Sequence, residues 1–179
     1  MIDSKPSENP KKILMIGLDN SGKTSISKCL KGIKNLSAFN SIVPTREHDI
    51  ENFEALNSKY VIWDLSGQEA YREEYLNQAS KFFDDTSKII YVIDIQDVKR
   101  YNLALEYMEK VINSIDKQND IDFSIFLHKY DPDLKFDQEL NEIIIDKFIK
   151  KIKEKIPPNF IYSLHKTSVY AIFEKSTIT

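Results

Sequence analysis

Apolar and polar positions follow two different periods along this chain, and the change from one to the other lays out its elements. Near-continuous apolar runs at Ile13-Leu14-Met15-Ile16, Ile89-Ile90-Tyr91-Val92-Ile93 and Phe123-Ser124-Ile125-Phe126-Leu127 are the signature of strands covered on both faces by helices. Ile50, Phe53 and Ala55, followed closely by Tyr60-Val61-Ile62-Trp63, predict an antiparallel hairpin, and residues 160–164 a last strand. Helical spacing links Ile26, Cys29 and Leu30, with Gly32 as the stop; Ala104, Tyr107, Met108, Val111, Ile112 and Ile115; and Leu140, Ile144, Phe148, Ile152 and Ile156, ended by Pro157-Pro158. Stripes that flank buried strands face a core. The predicted class is α/β: a mostly parallel six-stranded sheet with one antiparallel edge hairpin and helices on both faces, whose ligands sit outside the carboxyl ends of the strands. Residues 1–10, with two prolines, read as a flexible tail and residues 34–43 as loop.

The stretch between the first strand and the first helix carries the chemistry. Gly17-Leu18-Asp19-Asn20-Ser21-Gly22-Lys23-Thr24 matches G-x-x-x-x-G-K-[ST], with Ser25 next. Two glycines let successive N–H groups converge on an anion, the lysine adds a point charge, and the hydroxyl ligates Mg²⁺. The helix behind the loop turns its positive end to the same phosphates. Composition sharpens this match, because the chain has four glycines in 179 residues where average usage gives about twelve. At that scarcity the pattern arises by chance in about one chain in a thousand.

Charge and length bound the rest. At 179 residues one core is expected, giving a single domain over 11–179. The formal net charge of −3 offers no general attraction to nucleic acid. Cys29 is the only cysteine, which fits a reducing compartment, and it is read as a small buried residue. The first ten residues lack a signal peptide's apolar core, residue two is Ile2 and the last residues are Ser176-Thr177-Ile178-Thr179, so the expectation is a cytoplasmic protein with no lipid anchor of its own, reaching membranes through partners.

Four downstream groups refine the phosphate site. Asp64-Leu65-Ser66-Gly67-Gln68 follows a strand and offers an acid for metal-bound water, a glycine N–H for a γ-phosphate and a glutamine to orient water. Thr45 has a hydroxyl able to complete Mg²⁺ coordination. His128-Lys129-Tyr130-Asp131 follows a buried strand, where Asp131 can accept the N1–H and 2-amino hydrogens of guanine, which adenine lacks. Thr167-Ser168-Val169 follows the last strand, where a backbone N–H can meet guanine O6.

In order and placement these segments resemble the small GTPases of the Ras superfamily, a P-loop NTPase G domain. The loop, Pro44-Thr45 and Trp63-Asp64 look like the Arf and Sar branch. His128-Lys129-Tyr130-Asp131, Thr167-Ser168-Val169-Tyr170, Ile90-Tyr91-Val92-Ile93-Asp94 and the long segment 68–88 look more like the Rag/Gtr GTPases, and the weight of motifs leans to Rag. The resemblance implies binding of GTP and GDP with Mg²⁺ and slow hydrolysis. It places Asp19, Asn20, Ser21, Gly22, Lys23, Thr24 and Ser25 on the phosphates, Thr24, Thr45 and Asp64 at the metal, and Gln68, Lys23 and Thr45 in catalysis. Gly67 anchors a switch loop, and His128, Lys129, Asp131, Thr167, Ser168 and Val169 hold the base. It also implies effector, exchange and activating proteins on surfaces 39–53 and 68–83, where Tyr71, Tyr75, Phe82 and Phe83 stand between partner site and core.

The resemblance has departures. His128 replaces the usual asparagine, Ser66 a common glycine, and the residues after Tyr170 leave only a stub of terminal helix and no Rag-type roadblock domain, which leaves homo- or heterodimerisation open. Two other functions stay in view. One is an ATPase or small-molecule kinase using Asp94 as its metal acid. The other is a scaffold that binds GTP and a partner without hydrolysis, against which Gln68 argues.

Overall fold

The computed structural model describes residues 9–32, 42–55, 57–115, 120–132, 134, 136 and 139–169. Most of the predicted tail, Tyr170 and the terminal stub, and residues 34–41 of the predicted loop lie outside them. Among the described residues six strands form one sheet: β1 (Lys11–Gly17), β2 (His48–Ala55), β3 (Ser58–Leu65), β4 (Thr86–Asp94), β5 (Asp122–His128) and β6 (Ser163–Lys166). Their order is β2-β3-β1-β4-β5-β6. Only β2 and β3 pair antiparallel, with Ile50 opposite Trp63, and every other neighbouring pair is parallel.

The helices are α1 (Lys23–Leu30), α2 (Glu69–Asn77), α3 (Ala79–Phe83), α4 (Tyr101–Ser114) and α5 (Glu142–Lys155). Alternation along β1 assigns them to two faces. Leu14 and Ile16 join a core with Tyr75, Phe82, Met108, Val111, Phe148 and Ile152 from α2 to α5. Ile13 and Met15 join a smaller core with Ile26 of α1 and with Ile62, Ile90 and Val92. Strand residues that point to opposite faces with period two are buried on both, which is why these runs lack polar alternation. Asn141 caps α5 by accepting from the Ile144 N–H at 3.1 Å, and the apolar stripe of that helix continues into Ile156 beyond its end.

The structure moves three sequence expectations. The last strand lies at Ser163–Lys166 rather than at 160–164, because its backbone pairs Ser163 to Lys166 with Ser124 to Leu127 of β5. The predicted stripe of α5 and its flanks is buried at Leu140, Phe148, Ile152 and Ile156 and departs at one position, where Ile145 takes the core place expected of Ile144, which is only partly buried. Cys29 is exposed, not buried, and so is its neighbour Leu30, so the last turn of α1 carries its apolar residues out of the core.

Candidate functional site

The phosphate loop takes its shape from its small residues. A Cβ on Gly17 would lie 2.2 Å from the Val92 carbonyl oxygen, so β1 and β4 can close on each other at the loop's entrance only around glycine. Gly22, at φ +94°, opens α1 in the left-handed region. Lys23 is the first residue of the helix and is buried, and its ammonium donates to the carbonyls of Leu18 at 2.7 Å and Gly17 at 3.2 Å. Burial pushes its pKa down to about 8, against the pull of Asp64 and Asp19. A cavity of about 460 Å³ opens over the loop. Asp19, Asn20, Gly22, Lys23, Thr24 and Ser25 line one side of it, and Thr45, Gly67 and Gln68 the other. Ser21 is buried, with its hydroxyl 3.4 Å from the Lys23 ammonium.

Three oxygen-bearing side chains from separate elements meet beside that cavity. The Thr24 hydroxyl donates to Asp64 Oδ2 at 2.6 Å and lies 3.1 Å from the Thr45 hydroxyl. Asp64 is almost fully buried, and its other oxygen, Oδ1, has no hydrogen-bond partner among the described residues. Burial raises its pKa, with the Thr24 hydrogen bond opposing. An orphaned carboxylate oxygen beside two hydroxyls suits Mg²⁺, a hard cation held by one or two carboxylates together with substrate phosphates. The residues present therefore fit the metal.

The segment after Asp64 closes on the loop. Asp19 N–H donates to the Gly67 carbonyl at 3.1 Å, and a Cβ on Gly67 would lie 2.0 Å from that nitrogen, so no other residue permits the contact. Gln68 Nε2 donates to the Thr45 carbonyl at 3.3 Å. Ser66 N–H and the Tyr75 hydroxyl both donate to the carbonyl of Glu47, a non-glycine residue at φ +51°. These bonds tie the Thr45 loop to the Gln68 segment.

A second cluster stands at the ends of β5 and β6. His128 is buried, its Nδ1 is 3.0 Å from the Thr167 hydroxyl, and burial, then the Lys129 charge, lowers its pKa. Its ring lies against the phosphate loop, since a Cβ on Gly22 would be 2.4 Å from His128 Cδ2. The imidazole thus joins the two halves of the site. The Lys129 ammonium binds Asp94 at 2.7 Å, while Asp131 takes a hydrogen bond from the Ser168 hydroxyl on one oxygen and from Gln96 at 3.2 Å on the other. Thr167 spends its backbone on Leu127 and Tyr130, and Val169 is exposed. Asp94, the acid of the ATPase reading, is thereby engaged by Lys129, whereas Asp64 is the acid at Thr24.

The model of the ADP-ribosylation factor family matches residues 2–169. The chain belongs to that family of small GTPases. It is 32% identical over 127 residues to ADP-ribosylation factor-like protein 3 of Chlamydomonas reinhardtii, covering 71% of this chain and 67% of that protein. With ADP-ribosylation factor-like protein 2 of Dictyostelium discoideum it shares 31% over 129 residues, 72% of this chain and 65% of the relative. The chain thus spans about two thirds of the length of these relatives. In fold it is similar to the Arl6 BBS3 small GTPase from Trypanosoma brucei, solved with the bound nucleotide analogue GppNp. The TM-score is 0.64 at 21% identity, over 89% of this chain and 87% of that one. These matches are Arf-like, and the lean toward Rag finds no support in them.

Two parts of this Arf-family site escaped sequence reasoning. Arg100 forks onto the phosphate loop, donating to Asp19 Oδ1 at 2.7 Å and to the Asp19 carbonyl at 3.1 Å, while its Nε holds Asp97. The other is Gln96. The spacing Asp94-x-Gln96-Asp97-x-x-Arg100 behind a buried strand was the available signal, and no general motif attaches chemistry to it. Of the four aromatics of the expected partner surface, Tyr75, Phe82 and Phe83 are buried, and Tyr75 packs edge-on to Phe82 at 4.8 Å. Tyr71 alone of the four keeps partial exposure, beside the Thr45 loop.

Proposed function

We propose that this chain is a GTP-operated switch that binds GTP and GDP with Mg²⁺, hydrolyses GTP slowly and passes its state to effector, exchange and activating proteins. The observation that carries the reading is the meeting of Thr24, Thr45 and Asp64 with one carboxylate oxygen buried and unpartnered. Thr24 and Asp64 belong to α1 and β3, whereas Thr45 belongs to the loop ahead of β2. Thr45 is held to that scaffold while a γ-phosphate is present and is released after its loss, which is the physical content of a switch. The Gln68 amide, on the Thr45 carbonyl, moves with the same loop and orients the attacking water.

Lys23 contacts the β- and γ-phosphates, the loop from Asp19 to Ser25 cradles them, and Gly67 couples the second switch segment to Asp19. Mg²⁺, when bound, neutralises phosphate charge and polarises the phosphoryl oxygens. Asp131 accepts the two guanine donors, Lys129 lies along the base, and His128 keeps base half and phosphate half in register. The protein acts in the cytoplasm and meets membranes through partners.

The test is competition of GTP and ATP against fluorescent GDP on the nucleotide-free protein, with single-turnover hydrolysis beside it. Guanine preference of about a hundredfold or more is expected, with loss of binding in Lys23→Ala and turnover on the order of 10⁻⁴ to 10⁻² s⁻¹. Equal competition by ATP would refute the reading, and absence of any turnover would reduce it to a nucleotide-locked scaffold.

A further inference from the structure

Gln96 lies in the turn between β4 and α4, outside every recognised nucleotide-binding segment, yet its side chain is aimed at the base cluster. Its Nε2 donates to the Lys129 carbonyl at 2.8 Å and to Asp131 Oδ2 at 3.2 Å, and its own N–H is held by Asp94 Oδ1 at 2.9 Å. Both side-chain partners are acceptors, so the amide nitrogen must face them and its orientation is set by chemistry. Lys129 sits at φ +61°, a conformation that a side-chain-bearing residue adopts only when its surroundings hold it. Gln96 supplies one such hold.

The consequence falls on Asp131. Its carboxylate takes one bond from Ser168 on Oδ1 and one from Gln96 on Oδ2. An ionised carboxylate offers about four acceptor positions, so about two remain for a ligand. With each oxygen pinned, the plane of the carboxylate is set before a ligand arrives. Two adjacent donors, such as the N1–H and 2-amino group of guanine, then meet a preorganised pair of lone pairs.

We propose that Gln96 is a positioning residue for nucleotide selectivity, fixing the Asp131 carboxylate so that it accepts both guanine donors at once. The proposal rests on the guanine reading above. Without Gln96, Ser168 alone among these two partners still orients the carboxylate, and rotation about its terminal bond spreads the acceptors over orientations that satisfy one donor or the other.

The experiment compares GDP, IDP, which lacks the 2-amino group, and ADP in competition against fluorescent GDP. It uses the nucleotide-free wild type, Gln96→Ala and the isosteric Gln96→Glu, each with a thermal melt. Gln96→Ala should weaken GDP about 5- to 20-fold and IDP less, affect ADP least, and lower the melting midpoint only by what two exposed hydrogen bonds contribute. Gln96→Glu should lose at least as much GDP affinity, because it sets a carboxylate against a carboxylate. In an Asp131→Ala background Gln96→Ala should cost less than about twofold, since its target is gone. An unchanged GDP/IDP ratio in both variants overturns the proposal, as does an equal loss for ADP or an undiminished loss in the Asp131→Ala background. A wild type with no guanine preference overturns the guanine reading and this inference together. A guanine preference that survives both substitutions overturns the inference alone.

Discussion

Lys23 carries an electrostatic cost that the phosphate loop builds into the fold. The ammonium is buried and held by two loop carbonyls, and its pKa stands at about 8 rather than 10.5. A shift of that size, at about 1.4 kcal/mol per unit, means that the charged lysine costs the nucleotide-free fold about 3 kcal/mol at neutral pH. The direction with pH follows from proton counts. Below the folded pKa the lysine is charged in both states and the full cost is present. Between about 8 and 10.5 the unfolded chain keeps a proton that the folded chain has released, so stability rises with pH there. The rise should amount to about 2 kcal/mol between about pH 7 and about pH 9.5.

The comparison is Lys23→Met, of similar length and without charge, followed by urea denaturation of nucleotide-free protein across that range. At neutral pH the variant should be the more stable by about 1–2 kcal/mol, because the relief of about 3 is offset by the hydrogen bonds lost at Gly17 and Leu18. The advantage should shrink by about 2 kcal/mol toward about pH 9.5. Tyr75, Tyr91, Tyr101 and Tyr107 all have pKa values raised by burial and ionise first in the unfolded chain. That destabilises both proteins alike and cancels in the difference. Parallel stability curves for wild type and variant would refute the reasoning. Bound phosphate should restore the charge, so nucleotide binding above about pH 8 should take up a proton and weaken as pH rises.

Gly67→Ala should cost about 2–3 kcal/mol in a thermal or urea melt, since the nearest atoms its new methyl would meet are backbone atoms of Leu18 and Asp19. An unchanged midpoint would show that the loop can move aside. Phe148→Ala should cost about 3–5 kcal/mol, because the ring is buried and stacked on Tyr101 at 3.7 Å. A loss below about 1 kcal/mol in the urea midpoint would mean that α5 collapses into the space.

The parts of the site that could be read along the chain are those whose chemistry is local. Gly17, Gly22, Lys23 and Thr24 act through backbone conformation and helix position within eight residues, and their spacing survives in one dimension. The spacing from Asp64 to Gln68, and from Lys129 to Asp131, is likewise local. The apolar runs 89–93 and 123–127 declared a sheet buried on both faces, because helices on each side remove the polar alternation of a half-exposed strand. Cys29 was misread because periodicity places a residue on a helix face and says nothing of where the helix outruns its sheet.

Local pattern was enough for a phosphate loop, a mostly parallel α/β layout and the residue types now clustered around that loop. Which of those residues meet depends on the packed sheet. Thr24, Thr45 and Asp64 are drawn together from across 40 residues because β3 lies beside β1 and carries its acid to the loop. Gln96 and Arg100 reach Asp131 and Asp19 because β4 lies between β1 and β5, so its following turn touches both halves of the site. Local pattern records the direction of a side chain within its own element. The neighbour it finds depends on strand order, which is settled by packing of the whole sheet.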